Sequence, residues 1–124
     1  MKVLLDANFL MLVVQRRVDV FGDIEKLFDE TVEFWVPRAC LDELKALKGK
    51  DKLKARALAG FVEKNGKIKV LEDAGRPDAL LLRYARLWKG EAFVATSDKN
   101  LRKLIKGMGT GVLLLRDKSH VVKG

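Results

Sequence analysis

Five short β-rich runs alternating with helical patterns predict an α/β fold: a three-layer α/β/α sandwich around a central parallel sheet of about five strands, as a single domain over residues 1–124. Two further observations support this. The first and last runs, "KVLL" and "GVLLL", are almost wholly apolar, as strands covered on both faces should be. Proline and glycine punctuate the helical patterns where helices start and stop: Pro37 and Pro77 at starts, Gly66, Gly90 and Gly109 just past ends.

Taken in order, residues 2–5 are the first strand. The apolar continuation "ANFLMLVV" reads as that strand running into a loop. Asp6 and Asn8 interrupt the run and no small-residue cleavage site follows, so it is not expected to be a secretion signal. Helical patterns cover about 20–30, 37–48, 52–65, 77–89 and 98–108, and strands 32–36, 67–71, 92–96 and 111–115 lie between and after them. No internal repeat, low-complexity tract or linker interrupts the series.

The chain of 124 residues, 48% hydrophobic and 34% charged, is long enough to bury roughly two-thirds of its unfolded surface. No apolar run approaches the roughly 20 residues of a membrane span, and a cytoplasmic protein without membrane contact is expected. Cys40 is the lone cysteine and His120 the lone histidine, which excludes an internal disulfide, a cysteine-based zinc site and a two-histidine metal site. Cys40 reads as a small packing residue and His120 as a surface residue of a basic tail. Chemistry is left to carboxylates. The net charge of +8 favours a polyanionic partner.

Four acids stand out. Asp6 closes the first apolar strand; a carboxylate buried there needs a partner or a cation, although a turn completed by Asn8 is the plainer alternative. Glu43, in "VPRACLDELKAL", lies beside the core face marked by Leu41, Leu44 and Leu47, and from spacing alone reads better as a solvated glutamate. Asp78, after Pro77, sits where a helix dipole favours an acid by about 0.3–1 kcal/mol. Asp98, in "FVATSDKNLRKL", follows a strand and opens a helix. It is readable as a cap or as a metal ligand, and Thr96 and Ser97 offer themselves as caps in its place.

Strand and helix boundaries put all four acids at one end of the sheet, the end where functional groups gather in such folds. Two bare carboxylates about 4 Å apart repel by about 4 kcal/mol at an effective dielectric near 20, so four in one pocket call for a divalent cation. Oxygen ligands without histidine or cysteine suit Mg²⁺ or Mn²⁺ rather than zinc. Such an ion activates water and stabilises charge on a phosphodiester.

The order of Asp6 with Asn8, "LDEL", "PDALL" and "TSD" resembles the PIN-domain nucleases, and the resemblance spans nearly the whole chain. The stretches "VDVFGDIEKL", "VATSDKNLRKL" and "LLLRDKSH" are most similar to archaeal PIN proteins related to small-subunit ribosomal RNA-processing nucleases. The resemblance implies that Asp6, Glu43, Asp78 and Asp98 are the catalytic, metal-binding acids for Mg²⁺ or Mn²⁺. Thr96 would then orient Asp6, and Asn8 would support it. Asp98 is accordingly expected to ligate a metal rather than cap the helix, although different oxygens could do both. Many relatives open the fourth helix with two adjacent acids; here Pro77 precedes the single Asp78.

Lys99, Arg102, Lys103 and Lys106 recur at helical spacing opposite Leu101, Leu104, Ile105 and Met108, and begin one residue after Asp98. Either a solvated face or RNA-backbone contact explains them; RNA contact is the reading adopted. A second cluster, Lys45, Lys48, Lys50, Lys52, Lys54 and Arg56, stays undecided. Trp35, Tyr84 and Trp88 read as packing residues. The expected activity is a metal-dependent endoribonuclease acting on a ribosomal RNA precursor, with a homodimer and ribosome-assembly proteins as further partners. The rivals are a toxin-type PIN ribonuclease with an antitoxin, a non-cleaving RNA-binding or ribosome-assembly module, and a receiver-like signalling domain. Lone Asp6 and Arg116 fit the receiver poorly.

Overall fold

The computed structural model describes residues 1–117 and 119–124. Lys118, within the "LLLRDKSH" stretch, lies outside the described residues. The element order is β1 (Lys2–Leu5), α1 (Ala7–Gln15), α2 (Val20–Glu25), β2 (Glu33–Pro37), α3 (Arg38–Ala46), α4 (Lys52–Lys64), β3 (Ile68–Leu71), α5 (Pro77–Leu87), β4 (Ala92–Ala95), α6 (Lys99–Gly107), β5 (Gly111–Arg116) and β6 (His120–Lys123).

The strands form one sheet in the order β3-β2-β1-β4-β5-β6. Every pairing is parallel except β5 with β6, which is antiparallel. The α/β/α expectation holds, with six strands rather than five. Contacts divide the helices into two sets, α1 to α4 among themselves and α5 with α6, the two outer layers of the sandwich. Val3, Leu4, Leu5, Val36 and Val94 are fully buried, which is why these strands read as unbroken apolar runs.

Two elements depart from the sequence expectation. Residues 7–15 form a helix, α1, and not a loop. Ala7, Phe9, Leu10, Met11 and Leu12 are all buried, so this helix is apolar over most of its circumference. A helix wrapped on nearly every side shows no amphipathic period to detect. The basic tail also forms a strand: β6 pairs Arg116 with His120 and Leu115 with Val121. Its Lys123 Nζ lies 4.6 Å from the Phe28 ring centroid, and a lysine on an edge strand guards against further pairing.

Boundaries elsewhere agree to within two residues, apart from α2, which stops at Glu25 and not near residue 30. Pro77 is the first residue of α5 as expected, whereas Pro37 ends β2 and precedes α3. Leu104, placed by spacing on the core face, is 56% exposed, because the buried stripe of α6 is Leu101 and Ile105. Trp35, Tyr84 and Trp88 pack together, with ring centroids 5.2 Å and 4.8 Å apart.

Reversal of strand order places the site. β1 pairs with β2 on one side and with β4 on the other, and Leu5 lies opposite Ala95. The next residue of each strand, Asp6 and Thr96, therefore emerges side by side at the carboxyl edge, the position where open α/β sheets hold ligands.

Candidate metal centre

Asp6 ends β1 and is also the N-cap of α1. Its Oδ1 accepts from the Ala7 N–H at 2.7 Å and its Oδ2 from the Thr96 hydroxyl at 2.8 Å. The side chain is buried, 7% exposed, with the Cys40 thiol 3.8 Å from Oδ1. Burial raises its pKa above the usual carboxylate range, and the charge of Asp98 adds to this. The hydrogen bonds from Thr96, Ala7 and Cys40 pull the other way. Burial, followed by the charge of Asp6, pushes the Cys40 thiol up, so Cys40 is a protonated packing residue.

Thr96 is fully buried. Its hydroxyl has one proton, which goes to Asp6; the Asn8 Oδ1 contact at 3.4 Å is too long to compete. The same oxygen accepts from the Asp98 N–H at 3.1 Å. Asn8, in the first turn of α1, accepts from the Ser97 N–H at 2.9 Å through Oδ1. It thus ties the β1–α1 junction to the β4–α6 junction instead of completing a local turn with Asp6.

Asp98 is the N-cap of α6, its Oδ1 accepting from the Leu101 N–H at 3.1 Å. Thr96 and Ser97 do not cap in its place: the Thr96 oxygen accepts from the Asp98 N–H, ahead of the helix, while the helical Leu101 N–H goes to Asp98. Asp98 Oδ2 takes none of the hydrogen bonds found among the described residues. Capping and ligation are compatible on separate oxygens.

Glu43 projects from α3, and Asp78 from the first turn of α5, where its Oδ1 accepts from the Ala79 N–H at 3.1 Å. The pKa of Glu43 is raised, first by burial and then by the charges of Asp6 and Asp78. Asp6, Glu43, Asp78 and Asp98 line one cavity of about 340 Å³, together with Asn8, Arg76, Pro77 and Leu101. Four acids from four separate junctions and helices thus share one space.

Arg76 had drawn no notice in the sequence. It precedes Pro77, which holds its backbone extended at φ −75°, ψ 144°, and it joins the cavity wall. A cation one residue before a helix-opening Pro-Asp was the available signal.

Among the described residues no three of the acids close on a single point as in a dedicated metal cage. Mg²⁺ does not require one. It dehydrates reluctantly, keeps several waters, and is held by one or two carboxylates plus substrate phosphates. A water-accessible cavity with four carboxylates and no histidine or cysteine in its wall fits such an ion.

The predicted basic residues lie beside this cavity. Lys99, Arg102, Lys103 and Lys106 line an open recess of about 590 Å³ along α6 with Asn100. Arg102 is partly committed, since its Nη1 donates to the Thr96 carbonyl at 3.0 Å. It secures the loop carrying Thr96 and Asp98 while lining the recess.

A solved structure of the PIN domain endonuclease Utp24 superposes with a TM-score of 0.77 at 22% identity, covering 97% of this chain and 90% of that one. At that identity the likeness speaks for the fold. No curated protein matches by sequence. The model of the PIN-like domain family matches residues 3–118, almost the full length, and the acid-lined cavity lies at the switch point of its sheet: the chain belongs to the PIN-like domain family.

Proposed function

We propose that the chain is an endoribonuclease dependent on Mg²⁺ or Mn²⁺, hydrolysing RNA phosphodiester bonds in the cavity lined by Asp6, Glu43, Asp78 and Asp98. One observation carries the reading. Acids from positions 6, 43, 78 and 98 share a single polar cavity; burial raises the pKa of Asp6 and Glu43, and the charges of neighbouring acids add to the rise. Retaining mutually repelling carboxylates costs stability, a cost that makes sense where a cation is to be bound.

Each residue then has a task. Asp6 is held rigidly by Thr96 and the Ala7 N–H, and is the fixed ligand. Glu43 and Asp78, on solvent-exposed side chains, and Asp98, held by its cap but with Oδ2 outside the hydrogen bonds among the described residues, line the same cavity and would complete the set. When bound, the metal supplies a lowered water pKa and positive charge against the phosphodiester. Lys99, Lys103 and Lys106, with the part of Arg102 left free, hold the strand by its phosphates. A ribosomal RNA precursor as substrate rests on the sequence resemblance, as do a homodimer and ribosome-assembly partners. A toxin role would show as co-purification with a small antitoxin.

A second reading, an RNA-binding module that does not cleave, is favoured by the lone Asp78 and by the absence of a closed carboxylate cage among the described residues. Incubating RNA with the protein and Mn²⁺ or Mg²⁺ separates the two. Cleavage that is lost in EDTA and in Asp6→Asn and Asp98→Asn supports the nuclease. Cleavage that survives these changes refutes the mechanism, and binding without cleavage under either metal points to the module.

A further inference from the structure

The acid cavity opens onto a second, apolar recess of about 280 Å³ between α1 and α3, and the two share Asn8 and Glu43 as walls. Ala7, Met11, Leu44 and Leu47 line that recess. It leads in turn to a polar recess of about 480 Å³ with which it shares Gln15. There Arg16, Arg17, Lys50 and Lys54 gather from the end of α1 and the α3–α4 turn, against the single acid Asp51 among the described lining residues. From Asn8 to Gln15, at about 1.5 Å per residue, α1 carries this path roughly 10 Å from the acids.

Arg38, Lys45, Lys69 and Arg83 are engaged by Glu63, Glu72, Glu33 and Asp73. Arg16, Arg17, Lys50 and Lys54, like most cations on the surface, have no ion-pair partner among the described residues, and what sets them apart is that they line one recess. The dipole at the end of α1 favours cations there and accounts for Arg16 and Arg17, but not for Lys50 and Lys54, which come from another part of the chain.

We propose that the apolar recess and the basic recess beyond it form a path for a single-stranded substrate on one side of the acid cavity, with an unpaired base against Leu47, the most exposed of its apolar walls, and a phosphate on Arg16 and Lys54. The proposal rests on the nuclease reading for the place where the path begins. An acidic cavity repels the backbone, so strand affinity must come from cations on either side of it, and α6 supplies only one side. The order acid, apolar, basic also selects for strandedness. A base pair hides its bases inside the duplex, whereas an unpaired base brings an apolar face to the recess. The path spans about three nucleotides at roughly 3.4 Å each for a stacked strand.

The test is fluorescence anisotropy in EDTA with a fluorescein-labelled single-stranded RNA and a duplex of the same sequence, each titrated at several salt concentrations. The wild-type protein is expected to bind the single strand more tightly. Arg16→Gln with Lys54→Gln is expected to weaken single-strand binding severalfold and to reduce the salt slope by about 0.7, the value for one phosphate contact. Lys64→Gln with Lys67→Gln, the same charge loss elsewhere, is expected to leave the slope unchanged. Leu47→Ser is expected to weaken single-strand binding at an unchanged slope. Equal losses in the two double variants, or equal losses for single strand and duplex, would overturn the path. Cleavage separates this from the nuclease reading. A protein that shows these binding shifts but never cuts keeps the path and loses the nuclease, and one that cuts with none of them loses only the path.

Discussion

The Thr96 hydroxyl donates to Asp6 Oδ2 at 2.8 Å, joining two residues 90 positions apart across the junction of β1 and β4. The same oxygen accepts from the Asp98 N–H, so one buried hydroxyl sets the orientation of one acid and the backbone of another. Thr96→Val keeps the shape and removes both bonds. Leaving the Oδ2 of a buried carboxylate without its donor costs about 1–3 kcal/mol, and Thr96→Ser should recover much of it. Urea unfolding in EDTA checks this, and a Thr96→Val protein as stable as wild type would refute it.

Asp98 serves as a cap through Oδ1, and this allows its charge to be separated from its structural role. Asparagine caps about as well as aspartate, so Asp98→Asn should change stability by no more than about 0.5 kcal/mol while abolishing cleavage. Asp98→Ala should lose the activity together with about 1 kcal/mol. Thermal melts paired with an RNA cleavage assay give both readouts. An active Asp98→Asn protein would remove this residue from the site.

Asp6 and Glu43 have pKa values raised above their ordinary 3.8 and 4.5, so the folded state binds their protons more tightly than the unfolded chain does. Their contribution to stability is complete below those ordinary values and is lost as pH rises through the raised ones. In EDTA, the wild-type melting temperature should therefore fall relative to Glu43→Gln, which lacks one of the two groups, as pH rises above 4.5. Parallel curves would show that folding does not tighten the hold of Glu43 on its proton.

A bound cation reverses that loss. Mn²⁺ at a hundredfold excess over its dissociation constant should stabilise the fold by about 2.7 kcal/mol. The effect should grow with pH, because the ligands must release protons before they bind. Asp6→Asn should show little of it. A wild-type melt unmoved by Mn²⁺ or Mg²⁺ at neutral pH would count against the site.

Much of the architecture was already legible in the sequence. Alternation of apolar strands with amphipathic helices, punctuated by Pro77, Gly90 and Gly109, reports local preferences that neighbouring residues decide among themselves. The same holds for Asp98 at a helix start, since capping is settled within one turn. Where local pattern is silent the reading failed: α1 is too thoroughly buried to show a period, and β6 has no identity as a strand until β5 lies beside it.

The sequence by itself determined which residues are available, namely an oxygen-only set of candidate ligands and a basic surface. Tertiary structure alone decided which of them meet. Strand order placed β1 beside β4 and thereby joined Asp6 to Thr96 and Asn8 to Ser97. It also pinned Arg102 to the Thr96 carbonyl and brought Arg76 into the acid cavity. Contacts between residues dozens of positions apart are selected by the packing of the whole sheet and its helices, and no short window of sequence contains that information.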